Sequence, residues 1–146
     1  MGMRARDVME SPVLTVSADT DALSCARTMV ERRKGYAVIL DAGGHVAGIV
    51  TEWDFLEKVL AGAVDPARVA VGSIGSAKVQ SCAPDAPVDE VVGTMAREGI
   101  RRMIVRTGDE VLGIITARTV LANFRQYVDR LSSDIAAYHS DPPVLG

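Results

Sequence analysis

The hydrophobic and polar positions of the chain follow two different periods in turn. Residues 22–30 carry apolar side chains at helical spacing, whereas 36–40 and 46–50 are short apolar runs of strand length. The turn between these two runs contains an aspartate and two glycines, which is typical of a hairpin. A short extended piece at 13–16 comes first, and a helix is predicted to begin at Thr51. The pattern therefore predicts the order strand, helix, strand, strand, helix.

The whole pattern occurs a second time. The segment GIVTEWD at 48–54 returns as GIITART at 113–119. Upstream of the hairpin Val13 aligns with Val79, and from Gly48 onward the alignment shifts by a single position, so the second hairpin turn is shorter. A turn is where such a deletion is tolerated best. The second copy is predicted to have strands at 79–81, 103–106 and 111–115 and helices over 88–96 and from 116 onward. We therefore expect two structurally equivalent units.

The repeat also predicts how the units pack. One unit of about 60 residues leaves sheet faces that its two helices cannot cover, so we expect the two units to pack through their sheets. The fold class is therefore α/β (α+β), with two pseudo-symmetric β-α-β-β-α units and an extended C-terminal helix in one compact module. The predicted division is unit 1 at 7–62, a connector at 63–72, unit 2 at 73–127, and a helical extension with tail at 128–146.

Polar residues and glycines predict the ends of the first helix in each unit. Asp19 and Asp85 precede these helices and are expected to cap them. Gly35 and Gly99 lie near their C-terminal ends, where glycine commonly closes a helix. The connector is expected to hold one turn of helix around 67–71.

Composition and charge make several function classes improbable. The net charge of −3 gives no reason to expect sequence-independent binding of nucleic acid. No run of eighteen apolar residues occurs, and residues 1–15 do not resemble a secretory signal, so we expect a cytoplasmic protein without a membrane span. Cys25 and Cys82 have no metal-ligand spacing and are expected to be reduced thiols. Since no catalytic motif is present, we expect no enzyme activity, no metal site and no required cofactor.

The two strand-to-helix junctions carry the candidate chemistry, and we call residues 51–54 the first corner and residues 116–119 the second corner. Thr51 and Asp54 have the spacing of a capping box, in which each side chain satisfies a backbone N–H at the helix start. The same groups could instead bind a ligand, with the helix start and the Thr51 hydroxyl facing a phosphate. An ionised Asp54 offers two acceptor oxygens, which suits the adjacent hydroxyls of a ribose. The residues alone leave both interpretations open.

The two corners differ at one decisive position. Thr119 stands where the first corner has Asp54, and its single neutral hydroxyl cannot grip two ribose hydroxyls. We therefore expect a second site that is weak, empty or used by a different ligand. Trp53 lies inside the first corner and is expected to be a partly buried packing residue, with stacking on a base or a partner as the alternative.

The tandem pattern resembles the cystathionine-β-synthase-type (CBS) domain. The features that carry the resemblance are the paired G-h-h-T-x-x-D motifs (h, apolar), the matching upstream helices, and the opening DVMESPV at 7–13. The resemblance implies a regulatory module that binds an adenosine-containing ligand in clefts between the two units. It assigns Asp54 to the ribose and Thr51 to the phosphate.

By position, the resemblance also implies which residues line each cleft. The expected first cleft contains Thr51, Asp54, Gly75, Ala77, Val79, Ile100 and Arg101. Arg101 or its neighbour Arg102 is expected to meet phosphate, with a solvated turn as the alternative. The expected second, degenerate cleft contains Ser11, Val13, Lys34, Gly35, Tyr36, Thr116 and Thr119.

These expectations give two hypotheses of different classes. In the first, the chain senses AMP, ADP, ATP or S-adenosylmethionine and signals to a protein target by altered packing. In the second, it is a ligand-free dimerisation module whose corners serve only as helix caps. The last helix keeps its apolar spacing to residue 135, ahead of prolines at 142 and 143, which suits the homodimer that the resemblance implies.

Overall fold

The computed structural model describes residues 2–140, apart from the side chains of residues 127 and 138–140. The remainder of the predicted tail, with Pro142 and Pro143, lies outside the described residues. The first half contains α1 (Ala5–Val8), β1 (Thr15–Ser17), α2 (Ala22–Arg32), β2 (Tyr36–Leu40), β3 (Val46–Thr51) and α3 (Glu52–Asp54), which continues as a π-helical segment, Phe55–Leu60. The second half contains α4 (Val71–Ile74), β4 (Gln80–Cys82), α5 (Val88–Glu98), β5 (Arg102–Thr107), β6 (Glu110–Thr116) and α6 (Ala117–Ser140).

The strands form two sheets of identical topology. In each sheet the first strand runs parallel to the second, and the hairpin makes the second and third antiparallel. The orders are β1-β2-β3 and β4-β5-β6, so the prediction of two equivalent α/β units with an extended last helix is confirmed.

Each unit donates its N-terminal segment to the other unit. The helical turns α1 and α4 occupy equivalent positions in the two copies and are therefore members of the repeat that the pattern analysis missed. Ala5 and Val8 of α1 are buried in the core of the second unit, whereas Val71 and Ile74 of α4 are buried in the core of the first. The helical turn expected at 67–71 in fact begins at Val71.

Backbone hydrogen bonds hold each exchanged segment against the other unit's hairpin. Glu10 and Ile114 exchange two N–H···O bonds of 2.8 and 3.0 Å, and Ile49 and Ser76 do the same at 3.0 and 2.8 Å. Gly48 makes the second of these contacts possible, since a Cβ there would lie 2.5 Å from the Ser76 carbonyl oxygen. The glycine that opens the first repeated motif is thus required by the close approach of a backbone segment, whereas a Cβ at Gly113 would meet the side chain of Met9.

Three buried clusters make up the core. One fills each unit between its sheet and its helices, and both consist mainly of aliphatic side chains and methionine. The third joins the units and contains Tyr36, Ile49 and Ile114, with Val13 and Val79 packed against it. The sheets therefore meet through a small apolar contact between the two corners.

The two aspartates that were predicted to cap the first helix of each unit do not cap it. Asp21 caps α2 by accepting from the Ser24 N–H at 2.9 Å, whereas Asp19 accepts from Ser17. Asp85 does not cap α5, because its carboxylate pairs with Arg6 of the exchanged segment. These differences arise because Asp19 and Asp85 lie within the turns that precede the helices, two residues before the N-cap positions.

The C-terminal ends of α2 and α5 are equivalent in backbone but not in residue type. Gly99 closes α5 in the left-handed conformation at a φ of 65°, as predicted. Arg33 takes that conformation at the end of α2 with a φ of 55°, so Gly35 does not close the helix.

The last helix runs past the repeat as far as Ser140. Its outer apolar side chains are exposed in this single chain, namely Leu121, Phe124, Val128, Leu131 and Ile135. Within the described residues, none of the helices has the length and apolar character that a bilayer span requires.

Gly48→Ala should lower the free energy of unfolding by about 1–3 kcal/mol, because the new methyl group would push the Ser76 backbone out of its bridge. Gly93→Ala in α5 is the matched control. Its Cβ meets only the end of the Arg97 side chain, and alanine favours the helix by about 0.5–1 kcal/mol. Chemical denaturation measures the free energy of unfolding of both variants. Equal changes in the two variants would contradict the explanation by close approach.

Candidate ligand-binding clefts

The first corner forms a complete capping box. The Asp54 Oδ2 atom accepts from the Thr51 N–H at 2.9 Å and from the Thr51 hydroxyl at 3.2 Å. Asp54 is only 9% exposed. Among residues 2–140 it is the only charged residue that is buried. The first corner therefore has the capping-box geometry, which was one of the two interpretations of its sequence.

The second oxygen of Asp54 is held less tightly. Its Oδ1 atom lies 3.4 Å from the Lys58 Nζ atom, which itself donates to the Ile74 carbonyl oxygen at 2.8 Å. A carboxylate has about four acceptor positions, and the capping bonds use only those on Oδ2. Oδ1 therefore keeps the capacity to accept further hydrogen bonds.

The second corner satisfies itself with neutral groups. The Thr119 hydroxyl accepts from the Thr116 N–H at 2.9 Å and donates to the Thr116 carbonyl oxygen at 2.9 Å. In return, the Thr119 N–H donates to the Thr116 hydroxyl at 3.2 Å. Both hydroxyls are engaged, and no negative charge from residue 119 faces the cleft.

The residues expected in the first cleft are spread along the inter-unit contact. Gly75 packs against Ile39 and Ile49, on the side of the first corner. Ala77 and Val79 line a groove of about 100 Å³ whose other walls are Val46, Ala47, Ser81, Ile104 and Arg106. This groove lies at the start of β3, about 17 Å of strand away from Thr51. Val79 connects the two places, since it also packs against the Tyr36 cluster.

The two candidate residues before β5 have different surroundings from those expected. Ile100 packs against the core of the second unit, and Arg101 is exposed. Arg102 is the arginine at the inter-unit contact, where its guanidinium lies 5.8 Å from the centre of the Tyr36 ring. Its Nε atom is buried, and among the described residues it has no hydrogen-bond partner. An orphaned donor of this kind is costly unless something outside the chain accepts from it.

The second cleft is built around Glu10, a residue that the sequence analysis did not select. Glu10 accepts from the Lys34 Nζ atom at 2.5 Å and from the Tyr36 hydroxyl at 3.0 Å. The Lys34 hydrogen bond and the nearby charge of Arg118 hold the pKa of Glu10 below its ordinary value. Burial and the Glu10 hydrogen bond raise the pKa of Tyr36, which therefore stays protonated as the donor. The sequence signal that could have found Glu10 was its position, one residue before Ser11, which was predicted to line this cleft.

The other predicted members of the second cleft are not gathered around this carboxylate. Ser11 is exposed, and Val13 packs in the inter-unit cluster. Gly35 lies directly below the Glu52 side chain, and its carbonyl oxygen accepts from the Glu52 N–H at 3.1 Å. The ligand-binding roles of these residues stay predictions.

A row of four side chains connects the two corners. Thr51 is the strand partner of Tyr36, Tyr36 lies under Arg102, and Arg102 is the strand partner of Thr116. The first and second corners are therefore linked through the contact between Tyr36 and Arg102.

Trp53 is not the partly buried packing residue that was expected. Its side chain is exposed, and its Nε1–H donates to Glu57 at 3.1 Å, one helical turn further on. The reason is its place on the outer side of α3, which the described part of the chain leaves uncovered.

The described residues also offer little for metal or thiol chemistry. Within residues 2–140, no three histidine, cysteine or acidic side chains come together in a way that could hold a metal ion. Burial raises the pKa of the Cys25 and Cys82 thiols, which disfavours the reactive thiolate.

The comparison with protein families agrees with this geometry. A family model for the CBS domain matches residues 5–61 and 71–125, which is most of the chain in two segments. The chain therefore belongs to the CBS domain family, and the prediction of a tandem pair is confirmed. CBS domain pairs are regulatory modules.

Relatives and a solved structure add context. L-aspartate semialdehyde sulfurtransferase of Methanosarcina acetivorans is 29% identical over 79% of this chain but only 22% of its own length. An uncharacterized protein of Methanopyrus kandleri is 33% identical over 79% of this chain and 59% of its length. The chain thus spans less than two thirds of the length of each of these relatives. The CBS domain pair of protein MJ0100 has the same fold at 21% identity, with a TM-score of 0.75 over 87% of this chain and 99% of that one.

Glu10→Gln should remove a pH-dependent part of the stability. Because the pKa of Glu10 is lowered by folding, its contribution is present above its ordinary value of 4.5 and is lost as the pH falls through the folded value. We expect a loss of about 0.5–1 kcal/mol at pH 7, a figure reduced for solvent screening, which shrinks as the pH falls below 4.5. Denaturation from pH 7 downward measures the difference between the two chains, and a difference that does not shrink below pH 4.5 would contradict the ion pair. Glu31→Gln, at an exposed site on α2, controls for the lost charge.

Proposed function

We propose that this chain is a regulatory module that binds an adenosine-containing ligand in its first cleft. AMP, ADP, ATP and S-adenosylmethionine are the candidate ligands, and a protein partner would read the result as a change in packing. No other cofactor is required. The observation that carries the proposal is the Asp54 carboxylate, which stands at a helix start beside the inter-unit contact and is absent from the second corner.

The chemistry of the first corner supports a ribose as its target. The Oδ1 atom of Asp54 has only the 3.4 Å contact to Lys58, so vicinal hydroxyls could donate to it without breaking the cap. Hydrogen bonds to a carboxylate contribute about 1.5–3 kcal/mol each, and both hydroxyls of a ribose can reach one carboxylate.

The surroundings of the corner support a phosphate or another charged group nearby. Arg102 carries a buried Nε–H without an acceptor among the described residues, and its guanidinium lies in the row that joins the two corners. Arginine suits phosphate and carboxylate because its donors are planar and permanently charged. We therefore assign to Arg102 the anion contact that was expected of Arg101 or Arg102.

The choice of candidate ligands follows the family and one neighbour of the same fold. The pair of protein MJ0100 was solved in complex with 5′-methylthioadenosine and S-adenosylmethionine. Both compounds share the adenosine moiety that the first corner suits, and they differ in charge. A panel that contains them beside AMP, ADP, ATP and NAD therefore separates recognition of the nucleoside from recognition of phosphate.

The first test is ligand-dependent thermal stability. A ligand present at 100 times its dissociation constant should add about 2.7 kcal/mol to the free energy of unfolding. If no member of the panel moves the melting temperature, the sensor proposal fails. The dimerisation module, which the self-sufficient capping box of Asp54 favours, would then remain.

Asp54→Ala should weaken binding of the selected ligand by about 10- to 150-fold, which corresponds to the loss of 1.5–3 kcal/mol. Thr119→Ala is the matched control and should hardly change the affinity. Because alanine also removes the cap, at about 0.5–2 kcal/mol, Asp54→Asn provides a variant whose side-chain oxygen can still accept from Thr51. Calorimetry with a larger effect for Thr119→Ala than for Asp54→Asn would overturn the assignment of the sites.

We also propose that two copies of the chain pair through the helices of the first unit. A groove of about 510 Å³ lies between α2 and α3 and is lined mainly by apolar side chains. Val30 and Leu56 form part of its rim, and Leu60 lies one turn further along; all three are at least half exposed in the single chain. Exposed apolar surface of this extent commonly marks a contact with another chain. The exposed apolar side chains of α6 add further apolar surface for a contact with another chain.

Val30→Glu should convert a dimer into a monomer, because the dimer would otherwise bury an unpaired carboxylate. Val64→Glu in the connector is the matched control, since Val64 lies outside the groove. Light scattering coupled to size-exclusion chromatography measures both. A monomeric unsubstituted chain at high concentration, or a Val30→Glu variant that stays dimeric, would refute this contact.

A further inference from the structure

The second cleft contains an ion pair, between Lys34 and Glu10, that the repeat does not predict. Lys34 and Tyr36 both donate to the carboxylate of Glu10, one to each oxygen. Arg118, at the start of α6, adds a positive charge close enough to lower the pKa of Glu10. An ammonium group just before β2 and a hydroxyl group at the start of β2 thus face one carboxylate.

This set of donors is complementary to a phosphate as well as to a carboxylate. Ammonium and guanidinium groups form charge-assisted hydrogen bonds with either anion, and the protonated Tyr36 hydroxyl can donate to both. The arrangement is reachable from solvent, because the side chains of Lys34 and Glu10 are 26% and 37% exposed. An ion could therefore approach without unfolding the unit.

Glu10 occupies this point because the backbone delivers it there. Its N–H donates to the Ile114 carbonyl oxygen at 2.8 Å, and its carbonyl oxygen accepts from the Ile114 N–H at 3.0 Å. The exchanged segment therefore fixes the backbone of Glu10 beside β6. A rotamer change of its side chain would leave the Lys34 Nζ atom and the Tyr36 hydroxyl without this acceptor.

The carboxylate of the first cleft comes from a different part of the structure than that of the second cleft. In the alignment of the two copies, Glu10 corresponds to Ser76, Lys34 to Ile100 and Tyr36 to Arg102. The first cleft thus has its carboxylate in the corner, at Asp54, and a neutral residue in the exchanged segment. The second cleft has a neutral corner, at Thr119, and its carboxylate in the exchanged segment.

We propose that the second cleft is an anion site for a phosphate-bearing ligand and that the Glu10 side chain closes it from within. The carboxylate satisfies Lys34 and Tyr36 when no ligand is present and repels an incoming anion. A phosphate group binds only when Glu10 turns away. This proposal rests on the inter-unit architecture and does not require that the first cleft bind adenosine.

The test uses inorganic pyrophosphate as the probe, with isothermal titration calorimetry at constant ionic strength. All chains carry Asp54→Asn, which removes the acid of the first corner and separates this test from that of the nucleoside site. In this background, Glu10→Gln should bind pyrophosphate about 10- to 100-fold more tightly, since a like charge a few ångströms away is removed from a partly exposed site. Lys34→Met should abolish the gain.

Two controls keep the outcome decisive. Glu31→Gln removes one negative charge from the same unit at an exposed site, and it should leave the affinity unchanged. Glu10→Ser copies the residue of the first cleft and replaces Glu10→Gln if that variant fails to fold. Equal affinities of the Glu10 variants and the Asp54→Asn parent would overturn the proposal, and so would a gain that survives Lys34→Met. Failure of the nucleotide panel has no bearing on this result.

Discussion

The exchange of N-terminal segments between the two units is the constraint on which the rest of the structure depends. Two pairs of backbone hydrogen bonds, Glu10 with Ile114 and Ser76 with Ile49, place each segment along the edge of the other unit's hairpin. The helical turns just before these bridges complete the opposite cores. Neither unit has a closed core without the other, so the pair forms one cooperative body. At position 48 the contact is close enough that a Cβ would collide with the Ser76 backbone.

The same exchange builds the two clefts and makes them different. Each cleft combines a corner from one unit with an exchanged segment and the start of a central strand. In the first cleft the corner supplies the acid Asp54, and in the second the exchanged segment supplies Glu10. The architecture is symmetric, but the placement of charge is not. This asymmetry gives the two predicted clefts different charge.

Tyr36 and Arg102 lie where the two halves meet. Tyr36 donates to Glu10 through its hydroxyl, contacts Arg102 through its ring, and neighbours Thr51 across the hairpin. Arg102 neighbours Thr116 in the same way. Any ligand that moves one of these side chains changes the contact of the other. The inter-unit contact therefore links the two corners through Tyr36 and Arg102.

The sequence by itself determined the two-unit plan, the order of elements, the hairpins and the corners, because these depend on local periodicity and on a repeat whose copies align position by position. It selected Thr51, Asp54 and Thr119, whose hydrogen bonds are formed within a single helical turn. Only the tertiary structure decided the exchange of α1 and α4, the contacts of Glu10 with Lys34 and Tyr36, and the different surroundings of Arg101 and Arg102. The physical reason is that these features depend on contacts between residues far apart in the sequence, or on which side of a strand a side chain faces once two sheets have packed. Local patterns carry no information about which distant charge will come to lie beside them.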